Sequence, residues 1–180
     1  MTIGEVSLTL PGAVGAPDET GYRGPTACRA AGITYRQIDY WARTGLVEPT
    51  VRPASGSGTH RLYSFRDIVI LKVVKRLLDA GVCLPQIRVA VGLLLERSAD
   101  ELAGITVMSD GASVYECTAP AQVVELVQGG QGVFGIAVGR VWREVAQTLA
   151  EMPTDVAPDE PVVAPPDELA ARRQSRGLSG

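Results

Sequence analysis

The chain has 180 residues, 46% of them hydrophobic, and a formal net charge of −3. That length holds one ordinary domain or two small ones, and the hydrophobic content excludes a chain that is disordered throughout. The net charge argues against a nucleic-acid ligand, but residues 22–97 carry twelve Lys/Arg against five Asp/Glu, so a basic segment sits inside an acidic chain, as in a DNA-binding module with an acidic companion.

In chain order, residues 1–21 are rich in Gly and Pro without helical periodicity and read as a mobile arm. Pro25 suits the first turn of a helix running to about Ala30, and Gly32 makes a turn. Thr34 is an N-cap for a second helix that ends at Gly45. On that helix Ile38 and Trp41 point inward. Arg36, Asp39, Tyr40 and Arg43 recur at i, i+3, i+4 and i+7 and share the opposite face, with Asp39 in reach of both arginines along the helix. Short strands near Val51 and Leu62 flank a turn in which Gly56 and Gly58 allow a tight reversal. This is the expected wing, with Arg52, His60 and Arg61 on or beside it. Ser64 and Asp67 form a capping box for a third helix to about Asp79, with Phe65, Ile68, Leu71, Val74 and Leu78 on its apolar stripe. Pro85 opens a fourth helix that turns Ile87, Val91 and Leu94 to the core.

These motifs, in this order, resemble the MerR family of bacterial transcription regulators. The matching residues are Gly32-Ile33-Thr34, Gln37-Ile38-Asp39-Tyr40-Trp41, Gly45-Leu46-Val47 with Pro49, the wing run Thr59-His60-Arg61-Leu62-Tyr63, Asp67 with Leu71, and Gly81-Val82-Cys83-Leu84 followed by Gln86-Ile87-Arg88. The likeness covers residues 22–97. It implies an N-terminal winged helix-turn-helix that reads double-stranded promoter DNA, usually as a homodimer, with RNA polymerase as a further partner. The physics of the residues agrees. The N-terminus of a helix laid in the major groove lets Tyr35 and Arg36 reach base edges, and Arg36 can pair bidentately with guanine. Tyr40, Arg43, Arg52, His60 and Arg61 suit phosphates or the groove rim. One residue departs from the pattern: Asp39 stands where the family usually carries arginine. Asp39 either orients Arg36 and Arg43 through ion pairs or marks a different docking.

The family often continues into a long helix, which glycines such as Gly104, Gly111 and Gly129 forbid here. Residues 105–108 and 114–118 read as a hairpin, 120–127 as a helix, 133–138 as a buried strand and 140–151 as a final helix. Residues 98–152 then form a small α/β dimerisation or effector domain, with Trp142, Val145, Leu149 and Met152 lining one face of the last helix as core or interface. Residues 153–180 are proline-rich and acidic, a composition that cannot bury a core. The expected fold is thus a mainly α winged helix followed by a small α/β unit, with disordered termini.

Three scattered cysteines, Cys28, Cys83 and Cys117, and a single histidine indicate neither a disulfide framework nor a metal site. Gly129-Gly130-Gln131-Gly132 lacks the lysine of a phosphate loop, and His60 has no partners for catalysis. No enzyme activity, metal or cofactor is expected. The N-terminus lacks the basic start of a secretion signal and no apolar run is long enough for a membrane span, so a cytoplasmic protein is expected. An alternative class is a protein-interaction adaptor on a winged-helix scaffold that binds DNA weakly; salt-dependent, sequence-specific retention of DNA separates the two.

Overall fold

The computed structural model describes residues 21–53, 60–129 and 132–152. The expectations for the N-terminal arm up to residue 20, the wing tip with Gly56 and Gly58, and the tail from residue 153 lie outside the described residues.

Strand β1 (Tyr22–Arg23) precedes α1 (Gly24–Ala31) and α2 (Tyr35–Arg43). The turn between the helices needs Gly32, which adopts φ 73°, a left-handed conformation open to glycine at little cost. Thr34 caps α2 by accepting from Gln37 N at 3.2 Å, and the Gln37 side chain accepts from Thr34 N at 2.9 Å. Ile38 and Trp41 are buried as their spacing predicts. Strand β2 (Leu62–Tyr63) pairs antiparallel with β1 on one side and bridges to Arg52 on the other. The pairing with Tyr22–Arg23 was not legible in the sequence, because two residues carry no periodicity.

Helix α3 (Phe65–Asp79) is the centre of the molecule. Helix α1, α4 (Leu84–Leu95) and α7 (Val138–Ala150) all pack on it. The expected single stripe is therefore too narrow: Val69, Ile70, Val73 and Leu77 are also fully buried, while Leu78 is only partly so. A helix apolar nearly all round is one enclosed by neighbours. Arg66, projecting from its first turn, donates to the carbonyls of Leu94 (3.0 Å), Leu95 (2.7 Å) and Arg97, so a cation satisfies the orphan end of α4.

Beyond residue 97, Ser98 and Glu101 make a capping box that starts a short helix, α5 (Ala99–Gly104), which sequence reading passed over. Strands β3 (Thr106–Ser109) and β4 (Val114–Cys117) form the expected hairpin, α6 (Pro120–Gln128) follows, and β5 (Phe134–Ala137) completes an antiparallel sheet of order β4-β3-β5. The strand expected to be buried is an edge strand: Ile136 is buried but Gly135 and Ala137 are exposed. Close approach of α5 to α7 depends on Gly139, where a methyl group would collide with the Ala103 carbonyl oxygen.

One hydrophobic core spans both halves of the chain, from Ala27 to Val145. The α7 stripe belongs to it. Val145 is fully buried, Trp142, Leu149 and Met152 pack against the core, and the Trp142 ring lies 4.7 Å from that of Phe65.

Charges reinforce the junction. Glu144 on α7 meets Arg76 and Lys72 (3.8 Å) of α3 and Arg140 (3.5 Å) of its own helix. The hydrogen bond from Arg76 above all holds the Glu144 carboxyl below its ordinary 4.5. A lowered folded value means that the contribution is complete above the unfolded value and is lost as pH falls through the folded one. Acidification below about pH 4.5 should therefore lower the urea midpoint, and Glu144→Gln should show a smaller fall over the same range. An equal fall in both proteins would remove Glu144 from the account.

Candidate nucleic-acid interface

The exposed side of α2 carries the residues predicted from its spacing. Tyr35 is 66% exposed and Tyr40 50%, and Arg36 and Arg43 are exposed beside them. The capping box at Thr34 holds the helix N-terminus in place, so the first turn is fixed while its outer side chains stay in solvent. The Tyr35 ring packs against Gly24 at the start of α1. No ion pair holds Arg36 among the described residues, which leaves its guanidinium available for a base edge or phosphate.

Asp39 makes the expected ion pair with Arg43 but not the one with Arg36. Its two oxygens take Arg43 Nη2 at 2.9 Å and Arg61 Nη1 at 2.7 Å, and neither takes Arg36. Arg61 comes from the wing side, 22 residues on, and its side chain is only 24% exposed. The Arg61 hydrogen bond is the main reason that the Asp39 carboxyl titrates below its usual range. Arg61, expected on the backbone of DNA, thus fastens the wing root to α2. Sequence spacing reveals pairs within one helix, such as Asp39 and Arg43, but not a partner brought in by the chain's return.

The wing root has a second anchor. Asp67, 1% exposed, accepts through Oδ2 from Thr50 N (2.8 Å), the Thr50 hydroxyl (2.9 Å) and Ser64 N (2.9 Å). One carboxylate therefore ties the residue that enters the wing to the residue that leaves it. The Ser-x-x-Asp pattern marked Asp67 as a cap, but nothing in the sequence pointed to Thr50. Arg52 exchanges two backbone hydrogen bonds with Leu62, at 3.1 and 3.0 Å, and His60 is exposed at the edge of the described wing. Tyr63, the last residue of the wing run, is core: burial pushes its phenol up to about 12.

The basic surplus of residues 22–97 is not one surface. Lys72, Lys75 and Arg76 pair with Glu144 or Asp79, Arg66 caps α4, Arg88 donates to the Thr44 carbonyl at 3.2 Å, and Arg97 pairs with Glu116 at 3.1 Å. These cations hold the fold. Among the described residues, no group of three or more His, Cys, Asp or Glu could hold a metal ion. Nor is any helix there long and apolar enough to cross a membrane. A shallow hollow of about 270 Å³ lies beside Arg97, Glu101, Ile105 and Glu116.

The family described as "MerR HTH family regulatory protein" matches residues 22–92. An uncharacterized HTH-type transcriptional regulator of Mycobacterium tuberculosis is 59% identical over 162 residues, covering 89% of this chain and 72% of the relative. The HTH-type transcriptional regulator HmrR of Sinorhizobium medicae is 32% identical over 72 residues, 40% of this chain and 47% of that protein. The HTH-type transcriptional repressor CarH of Myxococcus xanthus is 34% identical over 87 residues, 48% of this chain and 28% of that protein.

Proposed function

The chain belongs to the MerR family of HTH-type transcriptional regulators, and from that premise we propose that it binds specific double-stranded sites at promoters as a homodimer. The observation that carries this reading is the exposed face of α2, capped at Thr34 and joined to the wing through Asp39 and Arg61. Arg36 is the base reader, with Tyr35 beside it at the helix N-terminus. Tyr40, Arg43, Arg52, His60 and Arg61 contact or flank the phosphates. Two heads are needed because a head of this size covers one half-site, and operator symmetry mirrors that of a dimer.

The α7 stripe of Trp142, Val145, Leu149 and Met152 closes the core of the chain itself, so we assign the subunit contact to other surfaces. Apolar side chains remain exposed on α4 (Leu84, Val89, Leu95) and α6 (Val124, Val127). The protein acts in the cytoplasm beside RNA polymerase, without catalysis, metal or cofactor of its own.

Selection of bound sequences from a random duplex pool should enrich a site with inverted symmetry. Arg36→Ala should then lose roughly 1–3 kcal/mol at one base pair per half-site, about 5- to 150-fold in affinity for each half-site, and accept other bases there. A pool that enriches nothing sinks the reading and favours the adaptor alternative; an unaltered site preference in Arg36→Ala moves base reading off this residue.

A further inference from the structure

We propose that Asp39 sets DNA discrimination by engaging Arg43 and Arg61, so that the two arginines are withheld from the phosphates of non-cognate duplex. The inference deepens the DNA-binding reading above and rests on it. Asp39 lies mid-helix on the exposed face between Arg36 and Arg43. A carboxylate there repels phosphate, so its place on a reading helix calls for a compensating role.

The geometry supplies one. Each oxygen of Asp39 takes a different guanidinium, Arg43 from the same helix and Arg61 from the wing. In non-specific binding nearly all the affinity comes from neutralised phosphates, and each one adds about 0.9 to the salt slope. A guanidinium already held by a carboxylate must break that bond to reach a phosphate. Pairing two arginines to one carboxylate therefore costs the non-specific complex most, because base contacts do not offset the loss there. The same pairing fixes the wing root against α2, a preorganisation that favours the one register in which Arg36 meets its base. Asp39 is thus a positioning residue that acts through Arg43 and Arg61.

The test is titration of full-length protein with a mixed-sequence duplex between about 50 and 200 mM salt, and with the site selected by the wild-type protein. Asp39→Asn should bind the mixed duplex several-fold more tightly, with a slope of log K against log salt steeper by about one to two, and should discriminate less between the two duplexes. Asp39→Glu, which keeps the charge, should return both readouts towards wild type. In an Arg43→Ala/Arg61→Ala background Asp39→Asn should change the slope little, since the residues it acts through are gone.

An unchanged or shallower slope in Asp39→Asn overturns the proposal while the DNA-binding reading stands. So does a steeper slope that persists without the two arginines, because direct repulsion of phosphate by the carboxylate would then suffice. Failure of wild type and Asp39→Asn alike to bind any duplex overturns the DNA-binding reading, and this inference with it.

Discussion

Ending the chain after Arg97 should leave a winged-helix segment that melts far below the full chain and binds a hydrophobic dye. Phe65, Val69, Lys72, Val73 and Arg76 share one face of α3 by helical spacing. That face meets α7 through the Phe65–Trp142 contact and the Arg76 and Lys72 bonds to Glu144. Removing α7 exposes Val69 and Val73, both fully buried, along with Phe65. Each such side chain contributes about 1.5–3 kcal/mol when buried, so the loss is on the order of 5 kcal/mol or more, comparable to the 5–15 kcal/mol that holds a whole domain together. Calorimetry of residues 22–97 beside the full chain gives the result directly. A cooperative transition at the full-chain midpoint would show two independent cores and sink the single-core description. The same reasoning makes Trp142→Ala a change to stability rather than to subunit assembly.

Asp67→Ala should destabilise the protein by about 2–4 kcal/mol, because hydrogen bonds to a buried charged group are each worth about 1.5–3 kcal/mol and the donors left behind regain water only in part. Ser64 N is buried and would lose its acceptor; Thr50 is exposed and would recover part of the loss from solvent. For a protein of this size that corresponds to a fall of roughly 10 °C in Tm. The effect should also be local. Amide exchange should quicken at Thr50 and Ser64, the two ends of the wing, before it quickens in the middle of α3. Asp67→Asn keeps an acceptor oxygen and should fall between the two. A midpoint within about 2 °C of wild type in Asp67→Ala would leave the carboxylate without its assigned role at the wing.

The helices of residues 22–97 were legible because their signals are local. Thr34 as an N-cap, and Ser64 with Asp67 as a capping box, announce helix starts. The spacing of Ile38 and Trp41 marks the buried face of α2, and the complementary positions give Arg36, Tyr40 and Arg43. Helix α5 was missed although Ser98 and Glu101 carry the same box, because its six residues are too few to show a period. The stripe of α3 was drawn too narrow for a related reason: period alone marks the most apolar side, not how many neighbours will enclose the helix.

The sequence by itself determined the order of the longer helices and the β3–β4 hairpin, the family and the residues that α2 turns outward, because caps, turns and periodicity act over a few residues. Only the tertiary structure decided that Asp39 takes Arg61, that Asp67 takes Thr50, and that Glu144 joins α7 to α3. It also decided that the stripe of Trp142, Val145, Leu149 and Met152 belongs to a core shared with helices α1 to α4. Each of these is a contact between residues 17 to 77 positions apart. A charge or an apolar stripe records only that a partner is needed, and the chain's path through space chooses which one comes within reach.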